Sequence, residues 1–282
     1  MTKAKVFVLT ALAMIAFAGN SLLCRLALRN TAIDAATFTF VRILSGAVCL
    51  SIIVQARSVG MRKGGNWLSA LALFGYAALF SLAYLRLTAG TGALLLFAAV
   101  QATMIFWGFR KGEKLRYLQI AGVLLAGAGL VALVLPGLSA PPLGAALLMI
   151  GAGIAWGVYS LRGKAGTDPL RATAGNFLRA LPMAALLGLA MWRWIKFDGA
   201  GIAYAVISGA IASGLGYAIW YTALPALKAT AAATVQLSVP VLTAAGGILF
   251  LAESFTLRFA LASAAVLGGI FLVIVERKPA AS

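Results

Sequence analysis

Ten apolar runs, each about 20 residues long, follow one another along the chain. An α-helix of that length crosses roughly 30 Å of hydrocarbon, and in lipid every backbone N–H and C=O needs a partner inside its own segment. The runs cover approximately residues 6–24, 35–54, 67–87, 90–109, 117–135, 143–161, 173–192, 201–221, 230–250 and 257–275. The sequence therefore predicts an all-α integral membrane protein with ten transmembrane helices.

Charged residues are few and lie mostly between the runs. Only 10% of the 282 residues are Asp, Glu, Lys or Arg, against roughly 25% in soluble domains. With both termini in the cytoplasm, 15 of the 23 Lys and Arg residues fall in cytoplasmic segments and six in external ones. Because positive loops stay in the cytoplasm, this bias predicts cytoplasmic termini. The net charge of +17 then indicates attraction to anionic lipid headgroups and not to nucleic acid.

The chain consists of two related halves. A shift of 137 residues places Arg25 on Arg162, Phe40 on Phe177 and Arg42 on Arg179, and a shift of 139 to 140 residues places Gln101 on Pro240 and Glu113 on Glu253. We therefore predict two repeats, residues 1–138 with spans 1 to 5 and residues 139–282 with spans 6 to 10. Five is an odd number, so the second repeat enters the membrane from the opposite side. Such a 5+5 inverted repeat is typical of secondary transporters, whose substrate site lies near the midplane between the halves.

Several motifs occupy equivalent places in the two halves: the arginines Arg42 and Arg179, the span ends "GEKL" and "LAESF", and Pro240 within "SVPVLTAAGGILFLAES". In these motifs the chain resembles the drug/metabolite transporter superfamily, and within it the ten-helix exporters with two EamA-type repeats. A looser likeness, in "GAGIAWGVYSLRGKAG" and "GLGYAIWYTAL", is to the aromatic amino-acid exporters of the YddG type. Gln101 departs from the family, which commonly has proline there, so we expect the first half to bend differently from the second.

The resemblance implies a secondary transporter that exports small organic metabolites across a bacterial inner membrane by alternating access. We expect amino acids as substrates, aromatic ones first. Nucleobases or cationic drugs are the alternative substrates, and a passive channel is the alternative mechanism. The exact substrate, the coupling to protons and the most populated conformation stay open at this stage.

Several chemistries are excluded by what the chain lacks. It contains no histidine, which excludes histidine metal ligands and proton relays, and no GxxxxGK[ST] stretch that would bind ATP phosphates. None of its six acidic residues falls in the middle of a predicted span, so no carboxylate proton carrier is predicted. We expect no catalytic residue, no metal and no cofactor. The expected partners are a small-molecule substrate and the lipid bilayer.

Two kinds of side chain inside the spans could bind a substrate. Amides donate and accept hydrogen bonds, which suits a zwitterion, and aromatic rings stack on planar groups or hold cations. The candidates are Asn20, Gln101 and Gln236 among the amides, and Tyr76, Phe80, Tyr84, Trp156, Tyr159, Tyr217 and Trp220 among the aromatics. The alternative is that the amides bridge helices and that the rings serve packing or the membrane interface.

No acidic residue lies within the predicted spans to pair with the two intramembrane arginines. A guanidinium keeps its proton wherever it lies, so Arg42 and Arg179 have to face the bundle interior or reach the headgroups. Two roles compete for Arg42, binding a substrate carboxylate and holding its helix against its neighbours. Because the repeat supplies Arg179 in the mirrored position and one substrate needs one anchor, we favour the structural role for both.

The last span carries small residues at a spacing of four, Ala260, Ala264 and Gly268. This spacing is typical of a close packing face between helices in membranes. Such a face serves either the fold or a dimer, and we favour the fold. The oligomeric state stays open, with a monomer preferred.

Overall fold

The computed structural model describes residues 1–57, 64–112, 115–137, 140–163, 168–227 and 229–275. Within these ranges ten helices are long and apolar enough to cross a membrane, and each coincides with one of the predicted runs. The predicted fold class is therefore confirmed. An even number of spans puts both ends of the chain on one side, which we call the inner side. Glu113, which the repeat pairs with Glu253, lies outside the described residues.

The ten helices are α1 (Lys3–Asn30), α2 (Ala35–Ala56), α3 (Trp67–Tyr84), α4 (Ala89–Arg110), α5 (Tyr117–Val134), α6 (Leu143–Gly163), α7 (Pro169–Ala190), α8 (Gly199–Ala226), α9 (Ala229–Gln236 and Ser238–Leu251) and α10 (Leu257–Val275). A short 3₁₀ turn, Trp192–Trp194, precedes α8. Helix α5 packs along α10, α2 packs against α7, and α6 lies against both α3 and α4.

Three of the acidic side chains begin helices. Asp34, Asp168 and Asp198 cap α2, α7 and α8, and each accepts a backbone N–H from the first turn at 2.8 to 3.0 Å. A carboxylate at this position satisfies donors that the helix itself leaves unpaired and meets the positive end of the helix dipole. These acids are therefore engaged at the membrane surfaces and are not in the spans.

The repeat-related helices α4 and α9 bend differently, as the sequence predicts. Helix α9 is interrupted at Leu237, whose N–H bonds to the Thr234 carbonyl three residues back. Pro240 has no N–H to offer the carbonyl of Gln236, so the α-helical ladder cannot continue unbroken there. Helix α4, with Gln101 at the equivalent place, runs without interruption from Ala89 to Arg110.

Helix α8 changes its hydrogen-bond pattern in the middle of the membrane. Residues Ser208–Leu215 form a π-helix between the α-helical segments Gly199–Ile207 and Gly216–Ala223. The backbone of α8 lies directly against α2 here, because a Cβ on Gly209 would collide with the Arg42 carbonyl and the Ser45 hydroxyl. Widened turns of this kind are frequent at functional sites.

The contact between α5 and α10 uses a different face of α10 from the one that the sequence predicts. Ala262, Val266 and Gly269 face α5, whereas a Cβ on Gly268 would meet nothing. Ala264 is exposed. The predicted stripe of Ala260, Ala264 and Gly268 is therefore not the packing face, although small residues do make the contact.

Polar contacts join the two halves at the outer end of the bundle. Arg25 on α1 pairs with Glu253 at 3.3 Å and donates to the Tyr84 carbonyl at 2.8 Å. The other oxygen of Glu253 accepts the N–H of Ala89 at the start of α4, at 2.8 Å. The carboxylate therefore binds an arginine and a helix N-terminus together, which gives the "LAESF" motif its physical role.

Polar contacts also join the halves at the inner end. Arg162, which the repeat places on Arg25, donates to the Ser69 hydroxyl at 3.1 Å and to the Asn66 side chain at 3.2 Å. The Asn66 N–H in turn bonds to Asn176 on α7 at 2.8 Å. Equivalent arginines thus tie the first half to the second at opposite surfaces.

The ends of α4 and α9 give a test of backbone strain. Gly112 and Ala252 occupy equivalent positions, and both have positive φ angles of 89° and 50°. Alanine in the left-handed region costs roughly 1–2 kcal/mol, partly offset by the greater entropy that glycine loses on folding. We expect Ala252→Gly to stabilise the protein by about 0.5–1 kcal/mol. The reverse change, Gly112→Ala, should destabilise it. Melting temperatures in detergent measure both, and a lower melting temperature for Ala252→Gly would contradict the argument.

Candidate functional site

A chain of hydrogen bonds crosses the centre of the bundle. The Ser208 hydroxyl on α8 donates to the Asn20 carbonyl oxygen on α1 at 2.7 Å, and the Asn20 amide donates to the Tyr76 hydroxyl on α3 at 3.1 Å. Arg42 on α2 donates to the same hydroxyl at 3.0 Å. All four side chains are buried. The chain joins three helices of the first half to the π-helical segment of the second.

Arg42 is held on one side only. Its guanidinium carbon lies 5.1 Å from the centre of the Tyr76 ring and 5.0 Å from that of Phe80, within range of cation–π attraction. The residue is 2% exposed, and its Nη1 has no hydrogen-bond partner among the described residues. The Arg42 guanidinium therefore donates to the Tyr76 hydroxyl and not to a backbone carbonyl among the described residues.

Aromatic rings from both halves meet around Trp156. Its ring centre lies 4.8 Å from that of Tyr76, 5.3 Å from that of Tyr159 and 5.5 Å from that of Tyr217, nearly parallel to the last at 18°. Trp156 is half-buried, whereas the three tyrosines are buried. Tyr76 therefore connects the polar chain through its hydroxyl with the aromatic cluster through its ring.

Three residues of this site are not among the site candidates that the sequence predicts. Phe17 on α1 packs against Tyr217 at 5.7 Å, and Phe177 packs against the same ring at 6.2 Å. Ser208 ends the hydrogen-bond chain. Apolar rings and a hydroxyl are ordinary inside membrane spans, so only the equivalence of Phe177 with Phe40 in the repeat drew attention to any of the three.

Four predicted residues lie away from the centre. Tyr84 lies at the outer end, where its hydroxyl donates to the Ala89 carbonyl at 3.2 Å. Trp220 reaches the cluster through Phe17, at 6.2 Å between rings. Within the part of the chain that the structure describes, Gln101 and Gln236 form no hydrogen bond with the cluster. The structure thus brings together Asn20, Tyr76, Phe80, Trp156, Tyr159 and Tyr217.

The two repeat-related arginines have different surroundings. Arg179 extends toward the inner end, where its Nη1 donates to the Gly64 carbonyl at 2.6 Å and to the Gly175 carbonyl at 2.9 Å. The bond to Gly64 joins α7 to the segment before α3, and the bond to Gly175 lies within α7. The anchoring role of Arg179 stays a prediction. The two copies of one sequence motif have therefore diverged in their contacts.

Two cavities lie outside the aromatic cluster. One of about 340 Å³ opens at the outer end and is lined by Arg86, Thr88, Thr91 and Glu253 among others. A second, of about 430 Å³, is an apolar groove between α2 and α8. At the centre the rings touch one another, so a substrate would have to separate them. No group of three or more Cys, Asp or Glu residues in the described ranges is placed to hold a metal ion.

Comparisons with known proteins agree with this architecture. The model of the EamA-like transporter family matches residues 4–135 and 143–275. An uncharacterized protein of Pseudomonas aeruginosa is 56% identical over 278 residues, which cover 98% of this chain and 97% of that protein. The threonine/homoserine exporter RhtA of Salmonella typhimurium is 32% identical over 195 residues, covering 66% of this chain and 62% of that one. A solved crystal structure superimposes with a TM-score of 0.67 at 19% identity and covers 96% of this chain and 98% of its own.

Arg179 gives a test of the anchoring contact. Arg179→Met removes the donor to the Gly64 carbonyl, and a hydrogen bond from a charged group contributes about 1.5–3 kcal/mol. We expect the melting temperature in detergent to fall by the amount that corresponds to this loss of free energy. The control is Arg193→Met, an exposed arginine on the turn before α8, whose loss should change stability by about 0.5 kcal/mol or less. Equal effects of the two substitutions would contradict the anchoring role.

Proposed function

The chain belongs to the EamA-like transporter family, and we propose that it is a secondary transporter that exports amino acids, aromatic ones first, by alternating access. A transporter of this family is a multi-pass membrane protein and not an enzyme. The finer likeness, to aromatic amino-acid exporters of the YddG type, is part of the proposal. So is the bacterial inner membrane as its location.

The observation that carries the proposal is the cluster around Trp156. It lies at the boundary between the two repeats, where inverted-repeat transporters bind their substrates. Trp156 and Tyr217 belong to the second half, and Tyr76 belongs to the first. The ring centre of Trp156 lies 4.8 Å from that of Tyr76 and 5.5 Å from that of Tyr217. A planar side chain that entered between these rings would gain stacking on both faces.

The links at the two ends of the bundle support alternating access. Arg25 with Glu253 closes the outer end, and Arg162 with Ser69 closes the inner end. Both links are formed in this structure, and in the proposed cycle each would open in turn while its counterpart stays closed. The central site would then face one side of the membrane at a time.

The relatives support amino acids as the substrate class. RhtA is named as an exporter of threonine and homoserine, and it shares 32% identity with this chain over 195 residues. The aromatic preference rests on the rings themselves, since threonine has no ring to stack. Cationic drugs are disfavoured by the positive charge of buried Arg42 beside Tyr76, which would repel them.

The proposed function is tested by counterflow in proteoliposomes. Vesicles loaded with unlabelled phenylalanine should accumulate labelled phenylalanine, and accumulation should saturate. Nucleobases and quaternary amines should not compete. Saturable uptake of a nucleobase, without uptake of amino acids, would contradict the proposed substrate class. Unitary conductance steps in a planar bilayer would show a channel and contradict the carrier mechanism.

The aromatic cluster is tested by Trp156→Ala. One stacking contact contributes on the order of 0.5–1.5 kcal/mol beyond the burial of area. The apolar area that the substitution leaves unburied adds to this loss, so phenylalanine should bind roughly threefold to thirtyfold more weakly. Threonine, which gains no stacking, should lose less. Competition by each amino acid against one labelled substrate measures the two effects.

The control for this substitution is Trp192→Ala, an exposed residue before α8, which should leave both affinities unchanged. Equal losses for phenylalanine and threonine in Trp156→Ala would mean that Trp156 shapes the site without recognising the ring.

A further inference from the structure

We propose that Arg42 binds the carboxylate of the substrate, so that the transported molecules are carboxylates and not neutral bases or cations. The inference rests on the proposed function, because it assumes that the central site binds what the protein carries. It departs from the structural role that the sequence favours for Arg42.

The first argument is the balance of charge. Arg42 is 2% exposed, and a buried charge that meets no opposite charge is unfavourable by several kcal/mol or more. Among the described residues the carboxylates are Asp34, Asp168, Asp198 and Glu253, and each is engaged at a helix end. The site therefore has an unbalanced positive charge, and an anionic ligand group would balance it.

The second argument is the free donor. The Nη2 of Arg42 bonds to the Tyr76 hydroxyl at 3.0 Å, while its Nη1 is buried and unpartnered within the described part of the chain. A buried donor without a partner is rare in proteins, and arginine presents its donors in a planar fork that matches a carboxylate. Asn20 holds Tyr76, and Ser208 holds Asn20, so the guanidinium is oriented by residues that need not touch the ligand.

The third argument is the divergence of the repeat. Arg179 donates to the Gly64 carbonyl before α3 at 2.6 Å and to the Gly175 carbonyl on its own helix at 2.9 Å, and the first of these bonds is sufficient for an anchor. Arg42 has kept the position and the charge, yet makes neither contact. One substrate needs one carboxylate anchor, and of the two arginines Arg42 is the one with a buried donor that has no partner within the described part of the chain.

The position of Arg42 also fits an amino acid. The hydroxyl of Tyr76 accepts a hydrogen bond from the Arg42 guanidinium, and the ring of Tyr76 packs against the ring of Trp156. A carboxylate on Arg42 would therefore place a side chain toward Trp156, with Tyr76 alongside. Carboxylate and ring are one or two bonds from the α-carbon in an aromatic amino acid, which matches this neighbouring arrangement.

The first test is the sign of a stability change. Without substrate, Arg42→Met replaces an unbalanced buried charge by an apolar side chain of similar length, so the melting temperature should stay equal or rise. Arg179→Met should lower it, because that arginine is paired. A drop for Arg42→Met as large as for Arg179→Met, or failure of Arg42→Met to fold, would overturn the proposal. Arg42→Lys, which keeps the charge and loses the fork, should fold like the wild type and bind carboxylates more weakly.

The second test needs no variant. The probes are phenylalanine, 3-phenylpropanoate, phenylalaninamide, phenethylamine, adenine and tetraphenylphosphonium, each added to the purified wild-type protein in detergent and measured by thermal shift. The two carboxylates should stabilise the protein. The amide and the amine should bind about tenfold to hundredfold more weakly, the ratio expected for a charged hydrogen-bonded pair. Arg42→Met should abolish the difference between acid and amide.

The outcomes separate this inference from the proposed function. Equal binding of phenylalanine and its amide would overturn the role of Arg42 and leave amino-acid export standing. Binding of 3-phenylpropanoate without phenylalanine would support Arg42 and refute amino acids as substrates. Stabilisation by adenine or tetraphenylphosphonium alone, or by none of the probes, would overturn both.

Discussion

Hydrocarbon offers no hydrogen-bond partner, and this constraint governs where every polar group of the protein lies. Hydroxyls inside the spans bond to carbonyls one turn back: Thr39 to Ala35, Ser81 to Ala77, Thr103 to Ala99 and Thr222 to Ala218, at 2.7 to 2.9 Å. The four acids in the described ranges lie at helix ends, where backbone N–H groups donate to them. Six buried side-chain atoms in the described ranges have no hydrogen-bond partner, on Thr10, Arg42, Arg171, Thr243 and Ser263. The Arg42 atom is the one among them that belongs to the central chain of hydrogen bonds.

The inverted repeat relates the two halves of the fold, but residues at equivalent positions do not always make equivalent contacts. Arg25 and Arg162 keep the same task at opposite surfaces. Arg42 and Arg179 do not, since one faces the centre and the other faces the backbone at the inner end. If the centre binds the substrate, as we propose, this divergence is expected, because the substrate has no symmetry that matches the repeat.

The sequence predicted the fold well because membrane insertion is read from length and hydropathy, which are properties of a segment alone. The break in α9 was also predictable, since Pro240 removes a specific N–H. Side-chain partners were harder to predict because they depend on rotation of each helix about its axis. For this reason the sequence predicts Ala264 and Gly268 on the packing face of α10, whereas the structure has Ala262 and Gly269 there. Tyr84 and Trp220 were assigned to the site from their helix faces, although Tyr84 lies at the outer end and Trp220 contacts Phe17.

The π-helical segment of α8 decides which residues share a face. Ser208 and Tyr217 are nine residues apart, and an α-helix with 3.6 residues per turn would rotate them by about 180°, onto opposite sides. Yet Ser208 bonds to Asn20 and Tyr217 stacks on Trp156, both toward the centre. The wider turns between them, with bonds from i to i+5, absorb that half rotation. The composition of the surface that α8 turns toward the centre is thus encoded partly in the winding of the backbone: the same residues wound as a regular α-helix would place Tyr217 about half a turn away from the face of Ser208 without altering any side chain.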